Sequence, residues 1–219
     1  MTLQMGLTLS ALAFVATHFL LSHPLRGPLV RAMGEGPFRG IYSLVALVML
    51  GSMIYFYGKI GREPRIWPEP GDALWIVASL LMWLAAILLV GSFFKNPALV
   101  GAPGPTGGPT GVFKITRHPM MWSFALWAIV HIFVVGTAKA LVLDSAILIL
   151  ALGGAAAQDA KKARQMGENW HDWTAQTAFV PFTRGVANPG AVALIGGTIL
   201  FFAATWLHPM HVGFWRWIT

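Results

Sequence analysis

Six apolar runs of roughly twenty residues divide this chain, and a lipid bilayer is the solvent in which such a pattern folds. They read as helices over about 3–21, 40–57, 73–94, 118–135, 138–157 and 191–207. In hydrocarbon each backbone N–H and C=O must be satisfied inside its own segment, so every run is expected as an α-helix. The spans use most of the 219 residues. That predicts a single all-α integral membrane domain over 1–219, a six-transmembrane-helix bundle without a soluble domain. Only 11% of residues are charged, against roughly 25% in a soluble domain, and ten Trp and fourteen Phe are available for interfacial belts. No Lys or Arg precedes the first run, and Arg26, Arg31 and Arg39 follow it. It therefore reads as a retained span and not as a cleaved signal peptide.

The formal charge is +7, but the fifteen Lys and Arg are scattered through short loops. With no basic stripe, nucleic acid is not expected as a partner, and anionic lipid head groups are the expected counterion. Loops after the first, third and fifth spans carry 3, 3 and 4 of these cations; the N-terminus, the loops after the second and fourth spans and the C-terminus carry 0, 3, 1 and 1. This asymmetry puts the odd-numbered loops in the cytoplasm and both termini outside, on the periplasmic side of a bacterial inner membrane. Cysteine is absent. Disulfides, thiolate-bound zinc, iron–sulfur clusters, thiolate haem and covalent c-type haem are thereby excluded.

Two stretches break the apolar pattern. "KNPALVGAPGPTGGPTGVFK", residues 95–114, has four prolines and five glycines. It reads as a flexible connector between two three-helix halves, because its prolines remove the N–H donors a phosphate-binding loop needs. "AQDAKKARQMGENWHDWTAQTAFVPF", residues 157–182, reads as the fifth helix continuing amphipathically along the cytoplasmic surface, with Trp170 and Trp173 at the interface. The terminal "WLHPMHVGFWRW" reads as an interfacial anchor.

Among seven histidines, His18 and His131 fall inside spans, and intramembrane ionisable groups are functional candidates by default. A neutral histidine can also bond a neighbouring helix purely for packing. Two of them in one small bundle favour a bound metal or cofactor. His118 and His131 lie about 220° and 20 Å apart on one helix, so they cannot share a metal. His18, on another helix, is the natural partner of His131, and two imidazoles from different helices suit the axial positions of haem b. Phe124, Trp127 and Ala128 share the face of His131 and could wall a flat slot; Ala11, Phe14 and Val15 do so for His18. Asp144, well inside the fifth span, has two readings: it accepts the Nδ1 proton of His131 directly or through water, or it is wet or paired with Lys139. "TRHP", residues 116–119, reads as a helix start, with Thr116 as N-cap, Pro119 in the first turn and Arg117 toward the head groups.

"THFLLSHPLR", "RHPMMWSFALWAIVH" and "QDAKKARQMGENW" together resemble the NnrU family, which includes the plant zeta-carotene isomerase, over about residues 8–173. The resemblance implies a membrane protein linked either to cis–trans isomerisation of a polyene or to nitric-oxide and denitrification metabolism. It implies haem b held by His18 and His131, active when the iron is reduced and one axial ligand is exchanged. His118 then opens its helix and lines the cytoplasmic mouth. The family cysteine three residues before the second histidine is Ala128 here, so no thiolate can replace a histidine. Ligands of one iron must share a level, so either the first helix runs past Ser22 toward Arg26 or His118 is the partner of His18. The first is the expectation.

A second resemblance is to membrane methyltransferases of the isoprenylcysteine carboxyl methyltransferase type. It would set Arg117 and His118 beside S-adenosylmethionine, with Glu168 and Trp170 in a closing segment. The paired glutamates of those enzymes are Gln158 and Asp159 here. A third reading is a non-catalytic membrane assembly factor that holds haem only in passing.

Overall fold

The computed structural model describes residues 1–98, 102 and 104–218. Among them are eight α-helices and no strand: α1 (Leu3–Ser22), α2 (Arg26–Met33), α3 (Glu35–Lys59), α4 (Asp72–Gly91), α5 (Pro119–Val135), α6 (Ala138–Met166), α7 (Glu168–Gln176) and α8 (Ala191–Trp206). Four of them, α1, α3, α4 and α6, are long and apolar enough to cross a membrane, while α5 and α8 are apolar at 17 and 16 residues. The apolar exterior has the same meaning. Leu44 is 61% exposed, Leu47 66% and Ile199 64%, a surface suited to lipid tails and not to water.

The chain forms two compact units, each assembled from two separate stretches. The first comprises Met1–Glu69 and His131–Leu150; the second comprises Pro70–Val130 and Ala151–Thr219. The units are therefore not an N-terminal and a C-terminal half. Of the expected connector, residues 99–101 and 103 lie outside the described residues. Its last part, Gly111–Lys114, is a 3-10 turn that buries Val112 and Phe113 in the core of the second unit.

In the first unit α1 packs on α3 and on the start of α6, burying Leu7, Ala11, Phe14, Met53 and Ala146. Lipid-embedded helices gain nothing by hiding oily surface from oily lipid, so close approach and interhelical hydrogen bonds hold them. Gly6 supplies the approach, with the Phe56 ring lying where a Cβ would be. Ser10 and Ser52 supply the bond, their hydroxyls 2.6 Å apart. The first helix does not continue to Arg26. Pro24 has no N–H to offer the Leu20 carbonyl, and Leu25 N–H takes that carbonyl at 3.0 Å instead. α1 therefore ends at Ser22, and a separate helix begins at Arg26, so the expected extension of the first helix is not found. The pairing of His18 with His131 rests instead on their membership of one compact unit, which does not include His118.

In the second unit α4 and α8 meet backbone to backbone. Gly197 lies so close to Ile87 that an added Cβ would sit 2.5 Å from the Ile87 Cα. The core beside them holds Leu88, Val112, Phe113, Ile115, Leu126, Trp170, Trp173 and Ala193. Trp170 and Trp173 are 1% and 5% exposed, so they are core residues and not interfacial ones. Gly167, at φ 53°, ends α6, and α7 restarts at an angle that turns these indoles inward. Glu168, Asn169, His171 and Asp172 stay exposed on its other side, an amphipathic pattern at helical period.

Candidate functional site

His18 sits in the fifth turn of α1, half-buried. Helix geometry puts the carbonyl four residues back within reach, and Nδ1 lies 2.7 Å from the Phe14 oxygen. A carbonyl only accepts, so Nδ1 carries the proton and Nε2 carries the lone pair. The imidazole also meets the edges of two rings, Phe14 at 4.4 Å and Tyr42 at 5.6 Å between centroids. An imidazole with an anchored Nδ1–H presents Nε2 as its ligand atom, the arrangement that metal-binding histidines use. The residues present thus fit an axial haem ligand at this position. Sequence reasoning passed over His23, whose Nδ1 lies 3.3 Å from the Phe19 oxygen and whose Nε2 is buried without a hydrogen-bond partner. The signal was available in the repeated i−4 spacing of Phe14–His18 and Phe19–His23.

His131 lies near the end of α5 and is half-buried. It belongs to the same unit as His18 and Asp144. Asp144 is 3% exposed, so it is not wet. Lys139 is committed elsewhere: its Nζ donates to the carbonyls of Ile60 and Gly61 at 2.9 Å each. Phe124, Trp127 and Ala128 fall in the part of α5 belonging to the second unit. There Ala128 is fully buried, Trp127 half-buried and Phe124 exposed. Among the described residues there is no group of three or more His, Cys, Asp or Glu that could hold a metal ion.

The second unit contains a tighter polar cluster. Arg117 donates through Nε and Nη2 to Asp159 Oδ2 at 2.8 and 2.6 Å, and through Nη1 to the Thr177 carbonyl at 3.2 Å. His118 Nε2 lies 2.8 Å from the other carboxylate oxygen, with its side chain wholly buried. Its Nδ1 has no hydrogen-bond partner. Arg117 is therefore not directed at head groups; its side chain is 14% exposed and stacks at 5.3 Å over Phe179. Pro119 begins the helix, as expected. Thr116 hydrogen-bonds the His118 N–H and donates to the Phe179 carbonyl at 2.7 Å. Trp122 Nε1 donates to that same carbonyl at 2.7 Å, so residues 115–122 are stapled to the chain after α7. Asp159, the centre of the cluster, carries no sequence signal linking it to position 117.

The fold and these imidazoles define a class: an all-helical, multi-pass membrane protein carrying histidines within its apolar helices. A family model described as NnrU protein matches residues 6–216, and the chain belongs to the NnrU family. It is similar to the chloroplastic 15-cis-zeta-carotene isomerase of Arabidopsis thaliana, 24% identical over 187 residues, covering 82% of this chain and 50% of the relative. Similarity to the Zea mays protein of the same name is 23% over 160 residues, covering 69% of this chain and 43% of the relative. The chain thus spans about half the length of these curated relatives. No solved structure matches it.

Proposed function

We propose that this chain is a six-span membrane protein that binds haem b between α1 and α5 through His18 and His131, and acts on the cis double bond of a polyene. The observation that carries the reading is the His18 imidazole, its Nδ1–H given to the Phe14 carbonyl at 2.7 Å, which makes Nε2 the lone-pair nitrogen of the ring. Phe14 and Tyr42 restrain the ring from two sides. α5 and α8, at 17 and 16 residues, span by local thinning or by flanking residues that reach the interface. The distribution of Lys and Arg supports odd-numbered loops in the cytoplasm of a bacterial cell and termini outside.

When bound, haem would supply a reducible iron able to lend electron density to a double bond. The chain's residues do the rest. His18 and His131 would hold the group, and Ala128 has no donor atom that could take the place of either. Asp144 accepts the His131 Nδ1 proton and strengthens that imidazole as a donor. The polyene reading is supported by the carotene isomerase relatives, and such a molecule would arrive through the bilayer. Its test is chromatography of a 15-cis polyene incubated in the dark with dithionite-reduced protein in liposomes. Formation of the trans isomer, absent with oxidised protein, is expected. An unchanged polyene beside tight binding of nitric oxide would transfer the reading to a gas-linked role. An unchanged polyene with S-adenosylmethionine binding would transfer it to methyl transfer.

Replacing Asp144 tests the tuning. Outer partners of metal ligands contribute roughly tenfold or more in affinity, and tenfold corresponds to about 59 mV for a one-electron couple. Asp144→Asn weakens donation by His131, so the ferric state loses support and the midpoint potential rises by roughly that amount. Redox titration in detergent measures it. An unchanged spectrum and midpoint would separate Asp144 from the haem.

A further inference from the structure

The stretch after α3 does more than connect. Ile66 N–H donates to the Gly136 carbonyl at 2.7 Å. Arg65 Nη1 donates to both the Val134 and the Val135 carbonyls at 2.9 Å, and Trp67 Nε1 donates to the Phe133 carbonyl at 2.9 Å. Four successive carbonyls at the end of α5 are thus taken by one strap. These are the groups a helix C-terminus leaves unpaired, and a cation there also faces the negative end of the helix dipole. The fit is close: Gly136 has φ +63°, and a Cβ on it would lie 2.8 Å from Trp67 Nε1 and 2.9 Å from Arg65 Nη2.

The same strap pins the next helix. Glu63 accepts the Lys139 N–H at 2.9 Å, and the Lys139 ammonium donates to Ile60 and Gly61 while lying 4.9 Å from the Tyr57 ring. A glycine C-cap with ordinary local bonding would have ended α5 without help from 70 residues away. Arg65 even keeps one buried nitrogen, Nη2, without a partner, an unfavourable arrangement that only a well-determined surrounding maintains.

His131 stands two residues before Phe133, the first carbonyl the strap takes, and Asp144 stands five residues after Lys139. We infer that Arg65, assisted by Trp67, is a positioning residue that sets the height and rotation of the His131 imidazole against Asp144. The inference rests on the haem reading above.

The test uses the full chain in detergent, with Arg65→Ala, Arg65→Lys and Trp67→Phe, and Arg62→Ala on the same loop as control. Arg62 is exposed. Three readouts are taken: the largest g value of the ferric low-spin signal, which reports the angle between axial imidazole planes; the midpoint potential; and hydrogen exchange of the 131–136 amides. Arg65→Ala is expected to keep haem but to shift both the g value and the midpoint, with exchange at 131–136 at least tenfold faster. Arg65→Lys recovers part of each shift, since the charge returns without the fork. Arg62→Ala behaves as wild type. If Arg65→Ala is too unstable to purify, Trp67→Phe removes a single bond and carries the same expectation at smaller size. Haem retained with unchanged g value, midpoint and exchange overturns the proposal. A wild-type protein without haem overturns the haem reading by itself, and the exchange measurement still decides whether the strap holds the His131 turn.

Discussion

Asp159→Ala is expected to cost about 3–5 kcal/mol of stability, the loss typical of a buried ion pair stripped of one partner. The carboxylate holds two nitrogens of Arg117 on one oxygen and the His118 ring on the other, at 2.6 to 2.8 Å. Side-chain exposure is 14% for Arg117, 0% for His118 and 19% for Asp159. Without Asp159 the guanidinium keeps the Thr177 carbonyl and the Phe179 face, but its charge has no counter-charge and His118 loses its hydrogen bond. Unfolding in detergent should therefore show a large downward shift for Asp159→Ala. The double variant Arg117→Met with Asp159→Leu should lose much less, because no charge is then left buried. A single variant as stable as wild type would show that the cluster is solvated and contributes little.

The other large effect is expected at Gly197. A Cβ there would lie 2.5 Å from Ile87 Cα and 2.7 Å from Ile87 N, and backbone cannot rotate away as a side chain can. Overpacking typically costs about 1–3 kcal/mol. Gly197→Ala should fall in that range. Gly197→Leu should exceed it, forcing α8 off α4 and breaking the bond from Trp83 Nε1 to Thr198 Oγ1, 2.9 Å long. Thermal unfolding and protease sensitivity read the difference. Gly154→Ala is the control, since nothing lies within 4 Å of the added carbon and alanine is the better helix former. If Gly197→Leu unfolds like wild type, α4 and α8 are not in contact as described.

Much of this was legible in the residues because hydropathy alone locates a membrane helix. The apolar runs became α1, α3, α4, α5, α6 and α8, with most ends displaced by a few residues. Larger errors came from interactions distant in sequence. The fifth apolar run, α6, does continue past residue 157 as expected, its polar end anchored where Gln158 and Lys162 bond the carbonyls of Ala98 and Pro97, but it stops at Met166 and not at 182. Trp170 and Trp173 look interfacial on composition, yet a glycine turn at 167 rotates them into the core. Arg117 looks like a head-group ligand until Asp159 is placed beside it. α2, eight residues long and carrying Arg26 and Arg31, lacks the long apolar run by which a membrane helix announces itself. His18 stands out in the sequence because a histidine in an apolar run is costly to bury; helix geometry then sets the Phe14 ring and carbonyl beside it. The strap around Gly136 was not legible, since no local pattern tells residues 63–67 which helix end they will cap.

The central claim is haem b on His18 and His131. It is tested most directly by absorption spectra of the detergent-purified protein, oxidised and dithionite-reduced, beside His18→Ala, His131→Ala, His23→Ala and His118→Ala. A sharp Soret band and resolved reduced bands are expected in wild type, in His23→Ala and in His118→Ala, and are expected to be lost or changed in His18→Ala and His131→Ala. A folded wild-type protein with no haem spectrum, or a spectrum that survives both His18→Ala and His131→Ala, would contradict it.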